Sequence, residues 1–447
     1  MRWHTDKNEL ALTLEGVLSS FYMVLTQTVI FTSIALYFNL NEIWLGLASS
    51  FPMMFQVFQI FAPAIIERFN VKKNLLVLFN SGRFFWLILI PFLFRTHRDP
   101  KIFLLVFALS QVFTSFAGNV WLAIVSETVS PERRGKYLGL RNLFVSFATL
   151  LAFYLYSLIV DSLPKPVNYL LVILITMVTS LLSMVSLAPL TEPESKKTGS
   201  INDLWHVLKD TNFMKLSKAY FLWNFVVLLT APFFGYHELH NLKLPVTYVS
   251  YASIVASLLS MVFYSVWGKI SDEFGHKSVL ITGLAIVSTI PAIWLLMNER
   301  DWVFALTLDA VLSGIGWAAV NLAFVTVPME AAKVSSPMYF AVFSALGGLG
   351  GTLGSIVGGP IARWFNSFHF YIGEFHVYGL QLFFVIESIL RFSVIPLFLK
   401  VETRKYVSPT IVFSNVLSIL SSRHAIRIQE GNRSDVVVGR KRLERWW

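Results

Sequence analysis

The stretch WGKISDEFGHK, residues 267–277, is a short polar turn between two long apolar runs, 246–267 and 278–297. A helix that crosses a bilayer needs about 20 mostly apolar residues, so each run is long enough to span a membrane. The turn between them is too short to hold a domain. The sequence therefore predicts a tight hairpin of two membrane helices.

The polar residues of this turn have separate physical roles. Gly268 has no side chain, so another helix can pack closely against it. Asp272 places a carboxylate at the membrane face, where it can meet a helix N-terminus or a cation. Gly275 permits the left-handed backbone that ends a helix, and Lys269 and Lys277 indicate that the turn is cytoplasmic.

A weaker copy of the turn, PAIIERFNVKK, occupies residues 63–73. Alignment of the two copies places Glu67 on Asp272, while Asn70 stands where Gly275 does. Two copies of one loop, each between two spans, indicate that the chain arose by duplication. Parallel repeats of this kind are one established plan of membrane transporters.

The pattern G-x-x-x-D-x-x-G-x-K between two spans resembles the loop signature of the major facilitator superfamily of transporters. The segment SETVSPERRGKYLGLRN, residues 126–142, resembles a cytoplasmic-side loop of many bacterial members, and residues 327–346 repeat its plan. Both have a proline turn and then a tyrosine, Tyr137 or Tyr339, one turn into the next helix. The resemblance covers residues 10–400. It implies an all-α membrane protein built from two six-helix bundles related by a pseudo-two-fold axis.

Composition supports the membrane assignment and excludes several other classes. The chain has 447 residues, of which 55% are hydrophobic and only 14% charged, whereas soluble domains are about 25% charged. It has no cysteine, which excludes disulfides, thiolate metal sites and cysteine nucleophiles. The net charge of +10 lies mostly in loops and the C-terminal tail, a distribution that argues against nucleic-acid binding. No cleavable signal peptide is evident, and no cofactor or metal is expected.

We predict twelve spans, numbered here in chain order. The first six cover residues 13–38, 43–66, 74–94, 102–126, 137–160 and 168–190. The second six cover residues 216–240, 246–271, 278–297, 302–327, 338–365 and 378–399. Lysine and arginine concentrate in the loops on one side, so both termini are predicted to be cytoplasmic. The loop at 95–101 is the one segment that runs against this rule.

These spans divide the chain into four parts. Residues 1–190 form the first bundle, and 216–400 form the second. The linker 191–215 contains Leu204, Val207 and Leu208 on one helical face, with Trp205 as an interfacial anchor, so we predict a short helix on the inner membrane surface. The basic tail 401–447 is either disordered or a surface segment that contacts anionic lipid headgroups.

The resemblance also implies a cytoplasmic gate. In the superfamily, the loop acid of one half docks on a helix start in the other half. Transferred to this chain, Asp272 would meet the start of span 5 near Arg133 and Arg134, and Glu67 would meet the start of span 11. The alternative for both acids is a solvated loop charge that only helps to orient the chain in the membrane.

The stretch GGLGGTLGSIVGG, residues 347–359, superficially resembles a phosphate-binding loop. It lacks the required lysine, follows no strand and lies inside span 11. Small residues at every third or fourth position let membrane helices touch. The stretch therefore predicts close helix packing.

Ionisable residues inside spans are candidate functional sites, because burying a charge in lipid is costly. Asp309, in span 10, is a candidate proton-coupling residue, and its alternative is a satisfied polar contact between helices. Arg83 of span 3 either neutralises Glu15 of span 1 or binds an anionic substrate. Glu387 and Arg391 are one helical turn apart in span 12 and are expected to satisfy each other.

The resemblance places spans 1, 4, 7 and 10 around a central cavity. Their polar and aromatic residues are the candidate substrate contacts: Tyr22, Gln27, Gln111, Asn119, Trp223, Asn224, Trp317 and Asn321. Amides with aromatic rings suit a small neutral or amphipathic molecule, and a strongly anionic one fits poorly.

The sequence thus predicts a secondary transporter in the inner or plasma membrane, monomeric, working by alternating access, coupled to protons and favouring export. One alternative is an importer or uniporter of a small polar nutrient such as a sugar. Another is a transporter-like lipid scramblase, sensor or scaffold that acts through the tail. An enzyme is the weakest alternative, because the inner loops hold no cluster of His, Asp and Glu with catalytic spacing.

Overall fold

The structure is a computed structural model that describes residues 7–56, 71–129, 131–191, 204–332 and 337–412. Within these ranges, eleven helices are long and apolar enough to cross a membrane. The remaining predicted span, span 2, is described from Glu42 to Met54. Eleven of the twelve predicted spans therefore correspond to helices in the described residues, the described part of span 2 is helical as well, and the chain is a multi-pass integral membrane protein.

The first half holds spans 1 to 6. Their described helices are Lys7–Gln27 and Val29–Tyr37 (span 1), Glu42–Met54 (span 2), Lys72–Asn80, Ser81–Leu89 and Ile90–Leu93 (span 3), Pro100–Thr128 (span 4), Pro131–Ser162 (span 5) and Val167–Val185 (span 6). The middle segment of span 3 is a 3₁₀ helix.

The second half holds spans 7 to 12. Their helices are Thr211–Tyr236 (span 7), Val246–Phe274 (span 8), His276–Ile293 (span 9), Trp302–Ala331 (span 10), Pro337–Asn366 (span 11) and Gly379–Leu399 (span 12). Span 7 continues as a π-helical turn, His237–Asn241, and span 9 as a short 3₁₀ turn, Trp294–Leu296.

Three local features differ from the sequence predictions. Predicted span 1, residues 13–38, is not one continuous helix. The Thr28 hydroxyl accepts a hydrogen bond from Ile30 N at 3.2 Å and starts a second helix. Span 7 begins at Thr211 rather than at residue 216, because the Asp210 carboxylate caps it. The loop between spans 11 and 12 contains an antiparallel hairpin, β1 His369–Ile372 and β2 Phe375–Tyr378.

The packing repeats between the two halves. Span 1 packs on spans 5 and 6, and span 7 packs equivalently on spans 11 and 12. Spans 3 and 4 pair in the first half as spans 9 and 10 do in the second. Between the halves, span 2 contacts span 11 and span 5 contacts span 8, which are again equivalent pairs. This arrangement confirms two six-helix bundles related by a pseudo-two-fold axis.

The glycine stretch in span 11 packs as the sequence predicts. Gly350, Gly354 and Gly358 follow one another at one-turn spacing, and a Cβ on any of them would lie 2.0–2.2 Å from a backbone carbonyl oxygen of span 7. On a neighbouring face, a Cβ on Gly359 would lie 3.0 Å from the Cα atom of Ile43 in span 2. Span 11 therefore contacts both halves at backbone distance.

The linker helix is present but short. It spans Leu204–Lys209, with Val207 fully buried against the second half and Trp205 69% exposed. The predicted helix is therefore confirmed, while its placement on the membrane surface stays a prediction.

The chain stays attached to the second half beyond span 12. The amide of Asn212 hydrogen-bonds the backbone of Glu402, and Val412 is fully buried among side chains of the second half. Residues 401–412 thus belong structurally to the second bundle rather than to a separate tail. The predicted tail beyond residue 412 lies outside the described residues.

Candidate functional site

The two halves are joined by polar contacts at one end of the molecule, which we call the outer end after the predicted topology. At spans 5 and 8, the Asp161 carboxylate of the first half caps the start of span 8. It accepts hydrogen bonds from Val246 N at 3.1 Å and Thr247 N at 2.7 Å. One helical turn deeper, the hydroxyls of Ser157 and Ser250 lie 2.9 Å apart. We call the Asp161 contact the outer cap.

Spans 2 and 11 are joined at the same end. Asn366 Nδ2 donates to Glu42 Oε1 at 2.6 Å, and Asn366 Oδ1 accepts from Asn241 Nδ2 at 2.9 Å. Tyr378, at the end of the β-hairpin, donates to the carbonyl oxygen of Asn241 at 3.1 Å. Sequence reasoning missed both outer contacts, because their partners are 85 or more positions apart in the chain.

An open cavity of about 470 Å³ lies between the β-hairpin and the loop that precedes span 10. Glu299 lies at its edge and accepts hydrogen bonds from Tyr378 and from His376, the latter at 3.1 Å. Partial burial raises the pKa of the Glu299 carboxyl, but these two hydrogen bonds outweigh it and hold the pKa below its usual value. The carboxylate is therefore the stable form at neutral pH.

The sequence motif at 267–277 is only partly engaged. Gly275 has φ +97° and separates spans 8 and 9, as predicted. Lys277 is buried and donates to the carbonyl oxygens of Leu399 and Val401, both at 2.7 Å, so it caps the end of span 12. Asp272 is exposed, and in the described part of the chain no hydrogen bond or ion pair reaches it.

Two predictions on this motif concern its packing and its docking partners. Close packing at Gly268 stays a prediction, since among the described residues no atom lies within 4 Å of the position of an added Cβ. The proposed partners Arg133, Arg134 and Glu67 have side chains outside the described part of the structure. The inner gate therefore stays a prediction.

The first half contains a buried charge cluster around Glu15. Arg83 lies 3.6 Å from Glu15 and donates to the hydroxyl of Ser19 at 2.8 Å, which confirms the predicted pairing. Arg141 of span 5 lies 3.8 Å from the same carboxylate and stacks on the Trp121 ring at 4.2 Å. Arg141 lies in the first turns of span 5, where its position in the sequence does not indicate a buried partner in span 1.

The second half contains a compensated ion pair. Arg391 Nε donates to Glu387 Oε1 at 2.7 Å, and both side chains are at most 3% exposed. Thr230 of span 7 donates to the other oxygen of Glu387, and Arg391 also donates to the carbonyl of Val287 at 2.8 Å. The predicted mutual satisfaction of this pair is confirmed.

Asp309 borders a partly open cavity of about 120 Å³ between spans 7, 8 and 10. Ser313, one turn further along span 10, donates to Asp309 Oδ1 at 3.0 Å. Glu238, in the π-helical turn of span 7, borders the same cavity and is only 5% exposed. The sequence analysis did not single out Glu238, although an acid inside a span was a usable signal; its position near the predicted span end hid it.

The candidate substrate contacts are placed unevenly. Tyr22 is buried, and its hydroxyl pairs with that of Ser110, so it is already satisfied inside the first bundle. Trp223 is 1% exposed in the core of the second bundle. Asn224 donates to the carbonyl oxygen of Tyr220 in its own helix at 2.9 Å. These three residues serve packing in this arrangement.

The remaining candidate substrate contacts differ in how exposed their side chains are. Gln27 and Asn321 are exposed, and Gln111 is buried. Trp317 is partly buried, with the Arg391 guanidinium 5.9 Å from the centre of its ring. The side chain of Asn119 lies outside the described part. No group of three or more metal-ligating side chains occurs within the described ranges.

Comparisons with known proteins agree with this architecture. The sequence profile of the Major Facilitator Superfamily matches residues 16–355 and 229–410. No curated protein matches the sequence. Among solved structures, a D-xylose–proton symporter matches with a TM-score of 0.68 at 15% identity, covering 90% of this chain and 99% of that one.

Two further solved transporters are similar in fold. The nucleoside transporter NupG matches with a TM-score of 0.63 at 14% identity, covering 88% of this chain and 98% of that chain. A bacterial homologue of the human lysosomal transporter Spinster, in an inward-facing and occupied conformation, matches with a TM-score of 0.65 at 14% identity, covering 88% and 95%.

Two pseudo-symmetric bundles of membrane helices, joined across equivalent span pairs, define a membrane transporter fold. The chain belongs to the Major Facilitator Superfamily, because its profile matches well over half of the sequence. The resemblance noted in the turn at 267–277 is thereby confirmed.

Proposed function

We propose that this protein is a secondary active transporter that moves a small neutral or amphipathic solute by alternating access and couples its movement to protons. The observation that carries the proposal is the junction between the halves. Its polar part is an exposed carboxylate on a helix start and side-chain hydrogen bonds at the outer end, and its apolar part includes the backbone-distance packing of span 11 on span 2. The hydrogen bonds of the polar part can be exchanged for hydrogen bonds to water, which permits the two halves to rock against each other as rigid bodies.

Charge balance supports an uncharged or amphipathic solute. Arg83 pairs with Glu15, which it shares with Arg141, and Arg391 pairs with Glu387, so both Arg83 and Arg391 already have a carboxylate partner. Glu238 and Asp309, which border the cavity between spans 7, 8 and 10, would repel an anion. The solved neighbours include a nucleoside transporter and a D-xylose–proton symporter, whose named solutes are polar and uncharged.

Asp309 is the proposed proton-coupling residue. It lies in span 10, borders a cavity and keeps one hydrogen bond from Ser313. A carboxyl in such a place can change protonation when the bundle moves, because its exposure to water changes. The protein is proposed to reside in the plasma or inner membrane with both termini in the cytoplasm.

A thermal-shift screen of the purified protein against sugars, nucleosides, amino acids and hydrophobic drugs identifies the solute, since a ligand of the native state raises the melting point. Uptake and release of that solute are then measured in proteoliposomes with and without a pH gradient. We expect gradient-driven accumulation in the wild type and only exchange in Asp309→Asn. Equal accumulation by both proteins would exclude Asp309 as the coupling residue.

A second candidate function is import or uniport of a small polar nutrient, which the names of the sugar and nucleoside neighbours favour. Transport that ignores the pH gradient would support a uniporter, and the sign of gradient-driven movement separates import from export.

The scramblase or scaffold alternative assigns the activity to the tail. Because Val412 is buried in the second bundle, a truncation that tests this must end after residue 412 rather than before it. Solute transport that survives removal of residues 413–447 would favour the transporter.

A further inference from the structure

Glu238 has no function in the proposals above, yet its surroundings are unusual. It lies in the π-helical turn His237–Asn241, in which Leu242 N donates to the carbonyl oxygen of His237 at 2.9 Å. Turns of this type are rare and often occur at functional sites. The Glu238 side chain is 5% exposed and lines the cavity between spans 7, 8 and 10. In the described residues no hydrogen bond or ion pair reaches its carboxyl group.

Asp309 lies on another wall of the same cavity, so the carboxyl groups of Glu238 and Asp309 line one small cavity. The other polar side chains on the walls are the hydroxyls of Ser253 and Ser313. All four side chains offer oxygen atoms, which are the preferred ligands of hard cations. The remaining walls are aliphatic and include Ala252 and Ala310, so they offer the site neither a charge nor a side-chain hydrogen bond.

The groups facing this pair do not supply a counter-charge. From span 12, Arg391 acts on Asp309 electrostatically, but its charge is already matched by the ion pair with Glu387. From span 7, the His237 ring is fully buried and bonded to Asn241 at 3.0 Å. Span 8 lines the cavity with the uncharged residues Val249, Ala252, Ser253 and Ala256, and span 9 presents the neutral indole of Trp294 to Asp309. Two carboxylates without a cation are costly to bury.

We propose that Glu238 and Asp309 together form a binding site for one monovalent cation, either a proton or Na⁺. The cavity of about 120 Å³ holds roughly four water molecules at ~30 Å³ each, or one small cation with part of its hydration shell. Binding neutralises the mutual repulsion of the two carboxylates. This inference deepens the proposed proton coupling, because it adds a second acid and a defined cavity to Asp309.

The site is placed where a cation can influence the junction between the halves. Span 8 supplies Val249, Ala252 and Ser253 to the cavity walls, and its first residues, Val246 and Thr247, receive the outer cap from Asp161. Ala252 lies six residues from the helix start, which is about 9 Å along a helix. Neutralisation of the pair changes the repulsion between spans 7 and 10 next to this short rigid segment.

The test uses the full-length purified protein in detergent, without solute and without a gradient. Equilibrium binding of ²²Na⁺ and proton release into a weakly buffered dye solution are measured for the wild type, Glu238→Gln, Asp309→Asn and the double variant. Glu374→Gln is the matched control, because that carboxylate is 92% exposed on the β-hairpin. Elution profile and melting point confirm that each variant is folded.

For a Na⁺ site, we expect the wild type and Glu374→Gln to bind about one Na⁺ per chain and to release protons on addition of NaCl but not of choline chloride. Glu238→Gln should weaken Na⁺ binding by at least about tenfold. For a proton site, ²²Na⁺ binding is at background in all proteins, and the wild type takes up about one proton more than the double variant between pH 8 and pH 5.

The inference is overturned if folded Glu238→Gln matches the wild type in both readouts, or if only Asp309→Asn differs. Because neither readout involves solute, failure of the cation site leaves the transport proposal intact. Conversely, a cation site with no transport of any screened solute would count against the proposed function alone.

Discussion

Removal of the outer cap should open the outer end of the transporter. Asp161→Ala deletes a carboxylate that accepts hydrogen bonds from Val246 N at 3.1 Å and Thr247 N at 2.7 Å. Hydrogen bonds to a charged group contribute about 1.5–3 kcal/mol, and an anion at a helix start about 0.3–1 kcal/mol. Because Asp161 is exposed and its solvated state competes, we take the lower part of that range, about 2 kcal/mol, for the whole contact. The ratio of outward-open to outward-closed molecules should then rise about 30-fold.

The native chain has no cysteine, so spin labels can be placed without first removing any. Lys165→Cys in the first half and Glu374→Cys in the second are both exposed at the outer end, and their distance distribution in nanodiscs reports opening. We expect a longer-distance population to grow in Asp161→Ala. Asp99→Ala is the matched control, because Asp99 caps span 4 at 2.9 Å within one half.

A distance distribution in Asp161→Ala that coincides with those of the wild type and of Asp99→Ala would contradict a role of the outer cap in closing the outer end. It would mean that the contact between spans 5 and 8 contributes too little to affect which end is closed. The contacts between spans 2 and 11 would then have to hold the outer end by themselves.

Three further outcomes are expected from measurements of thermal stability. Gly354→Ala places a Cβ within 2.2 Å of a span 7 carbonyl oxygen and should lower the stability by about 1–3 kcal/mol. Gly268→Ala, the control, should leave the melting point unchanged. Equal melting points of the two variants would contradict the close packing of span 11 on span 7. Arg391→Met leaves the buried Glu387 carboxylate without its ion-pair partner and should lower the stability by about 3–5 kcal/mol. Adding Glu387→Leu should restore most of the lost stability. A double variant as unstable as Arg391→Met would mean that the unpaired carboxylate does not cause the loss. Since the pKa of Glu299 is lowered, its stabilisation is complete above the ordinary carboxyl value of about 4.3 and is lost as pH falls through the lowered one. The melting-point difference between wild type and Glu299→Gln should therefore be present at pH 7 and shrink as the pH falls below about 4, and a difference that does not decrease with falling pH would contradict this.

The membrane helices and the packing glycines of span 11 could be predicted from the sequence because their signals are local. Apolar length predicts a membrane helix, and a glycine at every fourth position of 350–358 predicts a face at backbone distance. The pairing of Glu387 with Arg391 follows from one-turn spacing on a single helix. The short helix Leu204–Lys209 likewise follows from its apolar face and preceding breakers.

The long-range contacts could not be predicted in this way. Nothing near Asp161 in the sequence indicates that its partner is the start of span 8, because that contact depends on how the two bundles meet. Arg141 lies near the start of predicted span 5, and nothing in its sequence neighbourhood indicates that it pairs with Glu15 of span 1. Glu238 became notable only once a π-helical turn aimed it at the cavity that holds Asp309. The sequence around each of these residues gives only a weak signal, and tertiary packing determines which partner each residue contacts.

In the proposed scheme, the two ends of the molecule are closed by the same kind of interaction, a carboxylate of one half that caps a helix start of the other half. At the outer end, a carboxylate of the first half caps a helix start of the second, as the bonds from Asp161 to span 8 demonstrate. At the inner end, the family resemblance predicts the reverse, with Asp272 of the second half docking on the start of span 5. In this structure Asp161 is engaged while Asp272 is exposed. Because such a cap contributes only about 1–3 kcal/mol, neither end is locked, and neutralising one buried charge can change which end is closed.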